Sequence, residues 1–194
     1  VNSVTAMYHV FLGMYPERAQ DDVWGENPGA VLAASFTPTG TVTPVDGGYS
    51  LTGKWMFCSG VDNCAWTIVG VTIPAAVEGE PDGKAYALVR TSEFDMENNW
   101  NVVGLSGTGS KNIMCNELFV PEYRLLPIEE TMTGNPPGAA VNDGPLYRIP
   151  LFAAMSCSLV APIMGMAQGA IDEFIDLTKG RITRGAALSK PAPM

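Results

Sequence analysis

Lys54 to Gly60 reads KWMFCSG: two aromatic rings, a thiol, a hydroxyl and a glycine in close succession. A buried strand wants the rings but has no need of cysteine and serine side by side. A flat, partly polar ligand lying against the strand could want both. The stretch follows DGGYSLTG, Asp46 to Gly53, whose Asp-Gly pair marks a tight hairpin. His9 is the only imidazole in the chain. A neutral imidazole can abstract or hold a phenolic proton near neutral pH, yet a lone helical histidine is more often a surface or capped core residue. Ser35, in AASFTPTG, and Ser59, in FCSG, each read alone as satisfied hydroxyls. Neither lies in a G-x-S-x-G elbow, and there is no second histidine for a triad, so serine hydrolysis is poorly supported. The carboxylates fall mostly in turns (Asp21, Asp22, Asp46, Asp82, Asp143) and form no acid–base pair.

GLSGTGSKN, Gly104 to Asn112, is glycine-rich but ordered G-x-x-G-x-G, without a G-K-[ST] ending. A phosphate loop must open a helix so that backbone N–H groups meet the anion. Here the strand-like NIMCNELFVP follows. Two readings remain, a wide hairpin turn or a loop lining a cofactor or substrate cavity. Cys58, Cys64, Cys115 and Cys157 include no C-x-x-C pair, and His9 is distant in sequence, so no metal site is expected. Scattered cysteines without an N-x-[ST] acceptor read as reduced thiols of a cytoplasmic protein.

With 11 basic and 20 acidic side chains among 194 residues, the net charge is -9. Nucleic-acid binding, which needs clustered Lys and Arg, is disfavoured, as is an anionic membrane surface. Leu151 to Ile171 carries no charge and is long enough to cross a bilayer. Its two serines, its glutamine, the central Pro162 and the missing aromatic belt favour a buried helix instead.

These residues need positioning elements, and three textures supply them. Residues 1–24 read as one amphipathic helix, stopped by Gly25 and Pro28. Between 30 and 121, the runs VLAASF, YSLTG, KWMFC, WTIVGVTI, AYALVR, WNVVG and NIMCNELFVP read as strands of a small barrel or sandwich. Residues 133–145 read as a linker or mobile loop, and Ile149 to Lys179 as helix. The opening VNSVTAMYHVFLGMY reads as mid-helix and the end follows an apolar helix with nothing to pack on it. The expectation is a fragment lacking elements on both sides.

The segments AQDDVWGENPGA (19–30), ASFTPTGTVTPVDGGYSLTGKWMFCSGVDNCAW (34–66), WNVVGLSGTGSKNIMCNELFVPEYRLL (100–126) and APIMGMAQGA (161–170) together resemble one family. It is the flavin-dependent monooxygenases built on the acyl-CoA dehydrogenase fold, the oxygenase components of two-component aromatic hydroxylases. Within that group the resemblance is strongest to oxygenases that hydroxylate the phenolic secosteroid of steroid breakdown. Those acting on para-hydroxyphenylacetate, and thiophene S-oxygenases, stand further off. The resemblance implies an α+β chain in four parts. These are the end of an N-terminal helical domain (1–29), a central β-barrel or sandwich (30–132), a linker (133–148) and the start of a C-terminal four-helix bundle (149–194). It also implies a homotetramer, a separate NAD(P)H-dependent flavin reductase and a small phenolic substrate.

By the same resemblance, Cys58, Ser59 and Gly60 lie beside the isoalloxazine near N5, and Ser35, Phe36 and Thr37 meet its pyrimidine edge. His9 and Ser35 would lie against the substrate hydroxyl and help it lose its proton. Arg181 falls where an arginine reaches the flavin phosphate of an adjacent subunit. The implied reaction is ortho-hydroxylation of a phenol with O2 and FMNH2 or FADH2, through a C4a-hydroperoxyflavin. Ser59 would accept the N5–H hydrogen bond, with Trp55 and Phe57 helping to exclude water. Two alternatives are an acyl-CoA dehydrogenase and a non-catalytic binding remnant. The first usually shows T-E-P-x-x-G-S-D where this chain reads SFTPTGTV.

Overall fold

The computed structural model describes residues 2–75, 77 and 79–179, with side chains from residue 6 onward. It divides into two compact units, Val1–Met155 and Ser156–Met194.

The first unit begins with helix α1 (Asn2–Leu12), a short α2 (Glu17–Gln20) and a π-helical turn over Asp21–Gly25. The single helix expected over 1–24 is therefore broken. Pro16 cannot donate to a preceding turn and its ring would strike one, so the chain extends there (ψ 150°) and restarts as α2. Seven strands follow in one mixed sheet: β1 (Leu32–Val45), β2 (Gly48–Cys58), β3 (Trp66–Ile73), β4 (Gly83–Arg90), β5 (Asp95–Glu97), β6 (Lys111–Pro121) and β7 (Leu125–Pro127). Their order is β5-β6-β2-β1-β3-β4-β7. The β1–β3 pair is parallel and the others are antiparallel.

The Asp46-Gly47 hairpin forms as its sequence predicts, with Val45 opposite Gly48 and Gly47 left-handed at φ 75°. YSLTG and KWMFC merge into the one strand β2. Gly53 interrupts their sequence pattern but not the strand, because its missing side chain makes room for the Trp55 indole. WNVVG is not a strand. It runs through an exposed connection between β5 and β6, with Val103 fully exposed.

Side-chain alternation along the strands builds two cores. On one face Leu32, Ala34, Trp66, Ile68, Tyr86 and Leu88 pack with Tyr8, Phe11 and Leu12 of α1. On the other, Ala33, Val69, Val71, Ala85 and Ala87 share a cluster with Leu51, Trp55, Cys58 and Ile113. Strands β2 and β6 thus turn the same face inward as β3 and β4. Trp55 ties the two halves together, its indole N–H donating to the Gly70 carbonyl at 2.7 Å. Residues 133–145 form short 3-10 turns, and their backbone is held to the helices by Gly138 N–H donating to Met14 O at 2.9 Å.

In the second unit, described through Lys179, helix α3 (Leu151–Thr178) continues from the first. It is long and apolar enough to cross a membrane, and its Leu159, Ile163, Met166 and Phe174 are exposed.

Candidate functional site

The site is built by two strands that part company. From Thr41↔Thr52 toward their other ends, β1 and β2 no longer form a ladder. Two hydroxyls span the gap instead: Ser35 Oγ–H donates to Met56 O at 2.9 Å, and Thr39 Oγ1–H to Lys54 O at 2.7 Å. The β1 pairing with β3 also slips between Ser35 and Gly40, leaving Phe36 to Thr39 outside the register. Ser35 is buried, Thr37 is exposed, and Phe36 turns to the helical side. There its ring stacks on Phe11 at 5.6 Å and meets Tyr86 edge-on at 5.6 Å.

Strand β2 carries a bulge at the same end. Trp55 faces Ile113 and Cys58 faces Lys111, so β2 spends one residue more than β6 over this span. Phe57 absorbs the extra residue in a left-handed conformation, φ 61°, costly for a bulky side chain. Alternation fails accordingly: Trp55 and Cys58 are both fully buried, while Met56 and Phe57 between them are exposed. Gly60, also left-handed at φ 75°, turns the chain away into a 3-10 turn.

Against this bulge lies the glycine-rich segment 104–110. Gly60 N–H donates to Thr108 O at 2.8 Å. Ser59 Oγ lies 2.8 Å from Ser110 Oγ, which lies 2.9 Å from Thr108 Oγ1, and Thr108 Oγ1–H donates to Leu105 O at 3.0 Å. Outside, the Phe57 ring meets Trp100 edge-on at 6.1 Å, and Trp100 Nε1–H donates to Leu105 O at 3.0 Å. Of the two readings left open for this segment, the backbone supplies the hairpin, since β5 and β6 pair antiparallel across it. Its hydroxyls nonetheless converge on Ser59.

Cys58 sits in the inner core, and burial, reinforced by neighbouring Cys64, pushes its thiol up to about 12. Neither a thiolate nor an outward-facing thiol is available there, and Cys58 is wholly buried, backbone included. Trp55 likewise belongs to the core, and Phe57 is exposed. Of the two rings expected to keep water from the site, only Phe57 stands at its surface.

His9 stands on α1 with Nε2 2.9 Å from Ala30 O. That bond requires a proton on Nε2, which in the neutral ring leaves the basic lone pair on Nδ1. Ser35 and the 56–60 bulge are thus joined through Met56, while His9 is tied to the end of the connection entering β1. Arg181 lies outside the described residues. No three metal-ligating side chains converge among the described residues.

Ser110, Thr108 and Trp100 adjoin the candidate site and are absent from the residues singled out in the sequence. For Ser110 and Thr108 the only signal was the hydroxyl-rich spacing of SGTGS; Trp100 gave none. What brings them to Ser59 is the β2–β6 register, which places Cys58 opposite Lys111.

No family model matches the chain. It is 38% identical over 96% of its length to an FADH(2)-dependent resorcinol hydroxylase, oxygenase component, of Rhizobium sp.. It is also 34% identical over 99% to the oxygenase subunit HsaA of Mycobacterium tuberculosis, a flavin-dependent monooxygenase. The chain is a homologue of flavin-dependent oxygenase components. The crystal structure of a 3-HSA hydroxylase from Rhodococcus sp. superposes with a TM-score of 0.86 at 31% identity, over 98% of this chain and 49% of that one. The same mixed sheet followed by a C-terminal helix is therefore present in a flavin-monooxygenase structure. The chain spans about half the length of the curated relatives it matches, 46% and 48% for the two named.

Proposed function

We propose that the protein carrying this chain is the oxygenase component of a two-component flavin-dependent hydroxylase, acting on a phenolic substrate ortho to its hydroxyl. The observation that carries the reading is the parted β1–β2 edge. A buried serine, a tight glycine turn and a second serine with a braced hydroxyl line one rim, in a chain homologous to such oxygenases.

The residues suit a reduced flavin, FMNH2 or FADH2. Such a ring presents N–H and C=O groups along its edge, and Ser35, Thr37, Ser59 and the peptide groups of Phe36 and Gly60 can answer them, with Cys58 packed beneath. Arg181 is proposed for the flavin phosphate. The bound flavin supplies the chemistry that activates O2. The chain's own residues hold and shield. Ser59 accepts a hydrogen bond from the ring and keeps that proton in place. His9 takes up the phenolic proton while Ser35 orients the phenol oxygen by a hydrogen bond, which makes the ortho carbon electron-rich. Cover for the open edge comes from parts of the protein beyond this chain and from neighbouring subunits. The same parts close the β-barrel, complete a four-helix bundle over the exposed apolar face of α3, and assemble a tetramer in the cytoplasm. The domain limits remain those of the sequence, 1–29, 30–132, 133–148 and 149–194, and a separate NAD(P)H-dependent reductase delivers the flavin.

The test is oxygen uptake by the full-length protein with FMNH2 or FADH2 and a panel of phenols. Hydroxylated product in step with oxygen consumed is expected. Oxygen recovered entirely as hydrogen peroxide with every phenol would overturn the proposal.

A further inference from the structure

We infer that Asp22 is a positioning residue: anchored by Tyr123 and Arg124, it sets the Ala30 carbonyl that holds the His9 ring. The inference rests on the role proposed for His9 above. A carbonyl oxygen only accepts, so the 2.9 Å contact with Ala30 O is made by His9 Nε2–H, which fixes both tautomer and ring orientation. His9 is therefore placed no better than the carbonyl it grips.

Ala30 ends a run of short-range bonds that starts in the π-helical turn. Asn27 N–H donates to Val23 O at 3.2 Å, Ala30 N–H to Asn27 O at 2.9 Å, and Gly29 N–H to Asn27 Oδ1 at 3.0 Å. So bonded, residues 23–30 move as one piece. Among the described residues, hydrogen bonds from 21–29 to distant side chains come from Asp22 and Glu26.

Asp22 Oδ2 accepts three of them, from Tyr123 Oη–H at 2.8 Å and from Arg124 Nε and Nη2 at 2.7 and 2.6 Å. The Arg124 and Asp22 side chains are only 16% and 26% exposed, so this anchor outweighs an ordinary surface ion pair. Glu26, more open to water, pairs with Arg90. Both guanidiniums lie against the buried Trp66 ring, Arg90 at 4.5 Å and Arg124 at 4.8 Å from its centroid. Trp66 in turn faces Leu32 in the β1–β3 ladder, just past Ala30. The turn is thus tied to the strand end from which β1 departs. Asp22 bonds to neither Ser35 nor the 54–60 bulge, so its loss should spare flavin affinity.

The experiment follows hydroxylation by the full-length protein with FADH2 and the phenol that wild type converts fastest. Asp22→Ala should lower kcat about tenfold, with the KM for the phenol and the affinity for FADH2 near wild type. Asp22→Asn keeps one oxygen at the same reach and Tyr123→Phe removes a single donor; each should cost about threefold. Added to His9→Asn, Asp22→Ala should cost nothing further, because it acts through that ring. A lesion of the fold would instead weaken FADH2 binding, or lower kcat by the same factor with and without His9. Either result, or unchanged kcat in both Asp22→Asn and Tyr123→Phe, overturns the inference and leaves the role of His9 standing. Wild-type kcat in His9→Asn, or no phenol hydroxylated by wild type, overturns both.

Discussion

The β2–β6 pair contains two bulges, and only one of them gathers the groups of the candidate site. At the far end β6 carries the extra residue: Leu51 faces Leu118 and Gly53 faces Cys115, with Glu117 left-handed at φ 52°. That bulge is settled locally. Glu117 N–H donates to Thr52 Oγ1 at 2.9 Å and its surroundings are exposed. At the near end the extra residue is on β2, in Phe57, and the bulge gathers groups from elsewhere: Ser35 through Met56, Ser110 and Thr108 through Ser59, Trp100 through the Phe57 ring. The same backbone device costs similar strain in both places. What separates them is convergence, so a left-handed residue points to function only where distant polar groups meet it.

The comparison breaks most severely at Trp55. Its indole fills the space over Gly40 and Gly53 beneath the near bulge and bonds to Gly70. Trp55→Ala should lose about 3–5 kcal/mol in denaturant unfolding, more than truncation of the smaller Leu51 beneath the far bulge. Next comes Phe57→Val, where a β-branched side chain meets a left-handed backbone. It should lose about 2 kcal/mol while Phe57→Gly stays near wild type, a contrast that side-chain loss alone would reverse.

The thiol beneath the bulge gives a pH signature. The folded Cys58 thiol is raised from 9.0 to about 12, so below pH 9 folded and unfolded chains hold the proton alike. As pH rises through that window only the unfolded chain releases it, and stability falls by about 1.4 kcal/mol per pH unit for this group. Burial raises Cys64 and Cys115 to about 11 in the same direction. Cys58→Ala should flatten the fall measured by urea unfolding between pH 9 and 11 without abolishing it. The smallest effect belongs to the far bulge. Glu117→Gly relieves its strain and should gain up to about 1 kcal/mol, with flavin affinity unchanged.

Local signals made much of the fold legible. The Asp46-Gly47 turn, the apolar runs of β3 and β4, and the absence of a helix after GLSGTGSKN are all properties of neighbouring residues. The clustering at KWMFCSG was legible for the same reason, because unusual residue types stood together. The rest depends on partners far along the chain. Trp55 and Phe57 look alike in sequence, and only the bulge sends one inward and the other out. Ser59 and Ser110 are 51 residues apart, and their meeting follows from a register that the bulge itself shifts. WNVVG has strand composition but finds no neighbouring strand to pair with, and Pro16 breaks a helix whose apolar pattern continues past it.

Hydrogen exchange on the full-length protein, with and without FADH2 under anaerobic conditions, tests the central claim most directly. Amides of residues 54–60 and 104–111 should slow markedly on adding the reduced flavin, while those around Glu117 keep their rates. Protection that spares both of those segments, or appears at the Glu117 bulge instead, would contradict the placement of the site.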